Sequence, residues 1–495
     1  MAGRRQLALG AALSRERTSS AAALGLCLAL ALALGCASAP KKSASEPKRK
    51  TVLLTEYDDA QVGRESTKDV EAQVGVLDDP KLQAYVDGIG RKLLRGMPRR
   101  GFDYQFAVVD MQEPNAFALP GGYVFISRGL LALANNEDEL ACVIGHEITH
   151  AARRHAAAQQ ALAARQPPLA MPGARAKTLA GYSREMEREA DEGGQILCAA
   201  AGYDPMGMST FLTSLSMSTR LTYGGTPGPT FFDTHPGSDE RAAANAVRAR
   251  EIRWKRDPAI ADSRASLLAQ LDGLEVGQRP EAGIFEGDRF VHPVLGFTLR
   301  FPPGWKLQNT NQAVGAMEPS GKAMVFLEGG EPAGDVEQVA HGWLEREQEK
   351  ARISVEDSKP VKIGQIDAWR VDANAAGAGG SVRALLTFIP FDRATWRITG
   401  VSPSAFASRY EGAMLATTRS FRPLGPQERK VPVTRLRFTK ARAGESLAAF
   451  SERTGNTWTV NDLAVYNGVF VDHRFEGGEL VKFARKETFQ PAGGS

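Results

Sequence analysis

The sequence predicts a multidomain α+β chain, and three observations carry that reading. Its 495 residues are enough for two to four domains at roughly 100–200 residues each. Apolar residues recur with a helical period from Thr51 to about Arg250, then alternate as in strands between about 285 and 422. A short segment of mixed pattern, 433–490, closes the chain. With 43% hydrophobic and 24% charged residues, each region has the material for a core of its own.

The first 35 residues read as a targeting segment. Arg4, Arg5, Arg15 and Arg17 precede an uncharged run, "AAALGLCLALALALG", from Ala21 to Gly35. That run is short of the ~20 residues a spanning helix needs. With Glu16 the only acid, these residues hold +3 of the formal +4 charge and leave +1 for the rest, so nothing points to nucleic acid. The ending "LALGC" resembles the lipobox of bacterial lipoproteins, although Ala33 and Leu34 depart from its commonest form. The resemblance implies cleavage before Cys36 and an N-terminal lipid on it, with 36–50 as a polar tether off the membrane. No aspartate follows Cys36, which favours the outer membrane. An ordinary cleaved signal or an uncleaved anchor is the alternative. Of the remaining cysteines, Cys142 and Cys198 lie in apolar helical sequence, where a disulfide and two buried thiols are both open.

Residues 51–258 form the first expected domain. Leu82, Tyr85, Val86, Ile89 and Leu93 make a helical stripe opened by Asp79 and Pro80. "DYQFAVVD" and "AFALPGGYVFIS" read as short strands around a Pro-Gly-Gly turn. A helix beginning near Asn136 places Glu137, Asp138 and Glu139 in its first turn, where acids suit the helix dipole. Prolines in "ARQPPLAMPGARAK" break the pattern, and a further helix opens at Ser183. Residues 259–284 read as a linker, and 285–422 as a small α+β domain with helices near 335–350 and 404–419, faintly similar to photosystem extrinsic proteins. The closing segment, with "ARAGESLAAFSERTG", "LAVYNG" and "EGGELVKF", resembles a LysM module, which implies a β-α-α-β unit able to bind peptidoglycan or kept only for packing.

The chemistry concentrates in "HEITH", residues 146–150. Positions i and i+4 share a helix face, so His146 and His150 can present ring nitrogens to one ion, and zinc favours such ligands. Glu147, one step round, can take a proton from a zinc-bound water. With seven histidines in the chain, the pattern arises by chance on the order of once in a hundred such chains. The apolar neighbours Val143, Ile144, Ala151 and Ala152 imply burial, where the three polar side chains need partners. About forty residues on, Glu187 and Asp191 share a face of the next helix. One can bind zinc while the other holds a ligand histidine by its second nitrogen, and a solvated acidic face is the alternative. His155, nine residues after His146, points away from the metal face on a 3.6-residue repeat.

"HEITHAARRH", "SREMEREADEGGQILCAAAGYDP" and "DTHPGSDERAA" together resemble the gluzincin metallopeptidases that include the CAAX prenyl proteases, the mitochondrial inner-membrane stress protease and the periplasmic β-barrel-assembly-enhancing type. The resemblance runs from about Glu56 to Arg250. It implies a mainly helical zincin-type domain with zinc ligands His146, His150 and Glu187, the base Glu147, and Asp191 as a proton donor or anchor of a ligand histidine. It also implies that His235 reaches the zinc as a latch, or stabilises a transition state. Asn115, Ala116, Phe117 and Ala118 would be the edge strand on which a peptide substrate lies. The expectation is a zinc endopeptidase of the bacterial envelope acting on misfolded or stalled envelope proteins. A chaperone with a latched structural zinc, or a peptidoglycan-binding lipoprotein, is the alternative.

Overall fold

The computed structural model describes residues 55–97, 101–159, 172–223, 235, 238–260, 262–349, 351–377 and 380–489. The expected targeting segment and the Cys36 tether lie outside these residues. Among the described residues no helix is long and apolar enough to cross a membrane.

The chain forms two compact units. One joins residues 47–279 to 432–488, and the other is built on 280–431. In the first, α1 (Glu56–Gln73) and α2 (Pro80–Leu94) precede a small sheet of β1 (Gln105–Val109), β2 (Ala116–Leu119) and β3 (Tyr123–Ser127). Capping explains both starts: Thr55 and Asp58 form a reciprocal capping box, and Asp79 accepts from Leu82 N just before Pro80. The sheet order is β1-β3-β2, with β1 parallel and β2 antiparallel to β3. The second expected strand is thus a hairpin, and β2 is an edge. Gly121 and Gly122 turn it at positive φ, 82° and 89°.

Next come α3 (Arg128–Leu133), α4 (Glu137–Ala152), α5 (Pro172–Ala200), α6 (Gly207–Tyr223) and α7 (Ser238–Glu251). Asn136 caps α4 by accepting from Glu139 N, and the acids of its first turn sit at the positive end of the dipole. The helix expected to open at Ser183 already runs from Pro172 among the described residues. The expected linker 259–284 is also structured: α8 (Ser263–Leu271) buries Leu267, Leu268 and Leu271.

The closing segment runs β15 (Val431–Lys440), α11 (Leu447–Thr454), α12 (Val460–Asn467) and β16 (Leu480–Phe489), with the two strands paired. It shares a core with the helical region before it, since Leu436 and Val465 join the cluster built on Leu82, Val86, Leu130, Leu140 and Phe211. The fully buried Lys482 Nζ donates to the carbonyls of Ala132, Leu133 and Ala134 at 2.6–3.1 Å, at the C-terminal end of α3. Arg264 on α8 donates to Asn135 O, Asn467 Oδ1 and Leu480 O.

The second unit is α+β. A seven-stranded sheet is ordered β10-β11-β12-β13-β9-β8-β7, and a four-stranded sheet β14-β6-β5-β4. The strands are β4 (Ile284–Glu286), β5 (Arg289–His292), β6 (Phe297–Arg300), β7 (Lys306–Asn309), β8 (Ala313–Met317), β9 (Met324–Pro332), β10 (Ile353–Ile363), β11 (Ile366–Gly377), β12 (Gly380–Phe391), β13 (Ala394–Pro403) and β14 (Arg422–Pro423). Helices α9 (Val336–Gln348) and α10 (Ala407–Arg419) lie where they are expected; Trp343 and Leu344 of α9 pack on Val371, Leu386 and Phe388 of the sheet.

Candidate metal centre

Two helices approach closely because glycines line their crossing. A Cβ on Gly194 of α5 would sit 2.7 Å from the His146 nitrogen, and one on Gly145 of α4 would sit 3.0 Å from Gly194 O. Gly193 meets Thr149 the same way. Such an approach lets side chains from both helices converge on one point. One helical turn before His146, Cys142 lies beside Cys198, both as buried thiols, with Sγ atoms 2.7 Å apart.

His146, His150, Glu187 and His235 each offer a ligand atom, and these atoms lie within 4.8 Å of one another. His146 Nε2 is 3.0 Å from His150 Nε2 and 3.4 Å from Glu187 Oε2. His235 Nδ1 is 2.9 Å from Glu187 Oε2 and 3.3 Å from His146 Nε2. His235 Nε2 faces Glu147 Oε1 at 3.7 Å. That carboxylate is 1% exposed, and its Oε1 accepts no hydrogen bond. A buried set of three imidazoles and a carboxylate is a donor set of the type zinc takes. The residues fit the metal the sequence implies.

Asp191 stands behind the cluster, its Oδ1 3.0 Å from His146 Nδ1, which leaves Nε2 for the cluster. Arg241 of α7 holds Asp191 in turn, and its Nη1 lies 2.8 Å from Glu187 Oε2 and 3.3 Å from His235 O. Asn245 Nδ2 also donates to Asp191, at 2.8 Å.

The electrostatics follow from burial and these neighbours. Burial opposes a charge on His146, yet Asp191 and Glu187 outweigh it and raise its pKa to about 9. Burial and the adjacent His146 depress His150 to about 3. Burial would raise Glu187, but His235, His146 and His150 hold it well below the usual carboxylate range. Burial dominates at Glu147 and raises its carboxyl, which gives it affinity for a proton.

Three residues escape a reading by sequence spacing. Arg241 and Asn245 sit on α7, about fifty residues from Asp191, in a stretch that reads as an ordinary polar helix. His155, expected to point away, instead contacts His150: their Nδ1 atoms are 2.9 Å apart and His155 is 6% exposed. The helical repeat does not apply there, because α4 ends at Ala152 and Arg154 reverses the chain at φ 55°. The expected edge-strand residues also differ slightly from their placement, since Asn115 lies just before β2, which holds Ala116, Phe117 and Ala118. The Asn115 N–H donates to Ser127 Oγ.

The model of peptidase family M48 matches the chain over residues 77–171 and 167–249. A putative β-barrel assembly-enhancing protease of Vibrio cholerae is 32% identical over 227 residues, covering 40% of this chain and 46% of the relative. The β-barrel assembly-enhancing protease of Escherichia coli K12 is 30% identical, covering 39% and 44%. The mitochondrial metalloendopeptidase OMA1 of Schizosaccharomyces pombe is 30% identical, covering 32% and 50%. The chain thus spans about half, or less, of the length of these relatives. A cyanobacterial PsbP from Synechocystis is similar at 10% identity with a TM-score of 0.24, covering 30% of this chain and 98% of that one. His146, His150, Glu187 and His235 all fall within the matched segment, and residues 77–249 are a domain of peptidase family M48.

Proposed function

We propose that the protein is a zinc-dependent endopeptidase of the bacterial envelope that cleaves misfolded or stalled envelope proteins. The observation that carries this reading is the His146, His150, Glu187 and His235 cluster with a buried Glu147 oxygen beside it that accepts no hydrogen bond. A zinc ion held by those residues would supply Lewis-acid chemistry, lowering the pKa of water towards ~7 and polarising a peptide carbonyl. Glu147 accepts the proton of the attacking water and returns it to the leaving amide nitrogen, a task suited to a carboxylate whose pKa burial raises. Asp191 keeps His146 oriented, and Arg241 keeps Asp191 in place. Edge strand β2 offers backbone groups to an extended peptide, which favours unfolded substrates with little side-chain selectivity. The names of the bacterial relatives supply the envelope setting. The lipobox-like Cys36 supplies the anchor, on the outer membrane in this reading, and the LysM-like β-α-α-β segment a contact with peptidoglycan.

One observation favours a latched state of the same site. His235 Nδ1 lies within the cluster while its Nε2 faces Glu147, so it fills the side on which water must sit. Release of His235 then opens the site.

The test measures zinc content and cleavage of an unfolded protein together. Glu147→Gln keeps zinc and loses cleavage, and His235→Ala keeps zinc and cleaves faster than wild type. Equal cleavage by wild type and Glu147→Gln sinks the assignment of the base. Zinc without cleavage in both wild type and His235→Ala supports the chaperone reading. Sedimentation of the intact chain with peptidoglycan tests the remaining alternative.

A further inference from the structure

His155 is buried, lies against a member of the cluster and has no part in the chemistry above. Its position is built. Arg154 adopts φ 55°, a backbone region that non-glycine residues seldom occupy. Its guanidinium is held by Asp59 of α1, Nε to Oδ2 at 2.5 Å and Nη2 to Oδ1 at 2.9 Å, and Asp59 is 2% exposed. Backbone strain of this kind persists only where surrounding contacts impose it, and it gathers at functional sites. Here its effect is to fold His155 back onto His150.

Two ring nitrogens at 2.9 Å require one donor and one acceptor. His150 turns its Nε2 into the cluster, 3.0 Å from His146 Nε2 and 3.4 Å from Glu187 Oε1. A nitrogen that donates electrons to a metal carries no proton, so the His150 proton resides on Nδ1 and is donated to His155 Nδ1. The His155 proton then resides on Nε2, which faces Glu189 Oε2 at 3.5 Å. His150 is thereby supported as His146 is by Asp191, but by a neutral imidazole in place of a carboxylate.

We propose that His155 is a positioning residue that fixes the tautomer and ring orientation of His150 as a metal ligand, held in place by the Arg154–Asp59 turn. The inference rests on the reading of His150 as a zinc ligand. A buried histidine kept only for packing would fill the same space, so the variants separate shape from hydrogen bonding. His155→Phe keeps a ring and removes the acceptor. His155→Asn returns an acceptor oxygen near the position of Nδ1.

Zinc affinity of the full chain, measured by chelator competition, reads the effect without reference to cleavage. His155→Phe is expected to weaken zinc binding about 10–100-fold, the usual effect of losing the partner of a ligand histidine, and His155→Asn to restore most of it. His155→Phe binding like wild type, or Phe and Asn weakening it equally, overturns the proposal. If Glu187→Gln also binds like wild type, the metal reading itself fails, and the inference with it. Should His155→Phe not fold, long-range proton–nitrogen correlation spectra of histidine-labelled, zinc-loaded wild type decide the matter. A proton on His150 Nδ1 and on His155 Nε2 is expected, and a proton on His150 Nε2 overturns it.

Discussion

The Arg241 guanidinium grips Asp191 with two nitrogens, Nε to Oδ2 at 2.9 Å and Nη2 to Oδ1 at 2.6 Å, and both residues are buried. Asp191 and Glu187 bring two carboxylates to α5, and Arg241, like His146, is a buried group that faces them both. Arg241→Met therefore removes a large part of their compensation, at a cost of about 3 kcal/mol in denaturant unfolding. Saturating zinc is expected to recover part of that loss, because a second cation then faces Glu187. An equal loss with and without zinc would separate the ion pair from the metal centre.

The helix crossing makes a second prediction. An alanine at Gly194 places its Cβ 2.7 Å from the His146 backbone nitrogen, which cannot swing aside as a flexible side chain can. Gly194→Ala is expected to cost about 1–3 kcal/mol by overpacking and to lower the zinc retained after dialysis, since His146 shifts relative to Glu187. Alanine at Gly88, where a Cβ meets nothing within 4 Å, is the control.

Lys482 ties the closing segment to the end of α3. Lys482→Met keeps the apolar stem but leaves three buried carbonyls without their donor, with an expected loss of about 2–3 kcal/mol. Limited proteolysis should then release residues 432–488 sooner than in wild type. Unchanged protection would mean that the shared apolar core suffices to hold the segment.

In the second unit, burial depresses the His292 pKa from 6.5 to about 4. The unfolded chain then binds more protons than the folded one between those two pH values, so this stability is present above pH 6.5 and is lost as pH falls towards 4. His292 is partly exposed, which limits the loss to about 2 kcal/mol. The drop in unfolding free energy between pH 6.5 and 4 should shrink in His292→Asn, and an identical drop in the variant would assign the acid sensitivity elsewhere.

The parts of the metal centre legible in the sequence are those with local spacing. His146 and His150 share a helix face, Glu187 and Asp191 share another, and a 3.6-residue repeat reveals both pairs without tertiary information. Helix starts at Asn136 and Asp79 are legible for the same reason, because a cap acts within one turn. The pattern misleads at His155, where a single left-handed residue ends the repeat, and Arg154 holds that conformation through Asp59, ninety-five residues away.

By itself, then, the sequence determined the pairing of His146 with His150 and of Glu187 with Asp191, the place of Glu147 beside the histidines and the α+β layout, since each depends on periods and caps spanning a few residues. Only the tertiary structure decided which helices cross, that Arg241 neutralises Asp191 and Glu187, that His235 stands beside Glu147, and that the closing segment shares a core with the M48 domain. Those relations depend on burial and on charges brought together across fifty to several hundred residues, and burial is a property of the folded chain, which no short window of sequence contains.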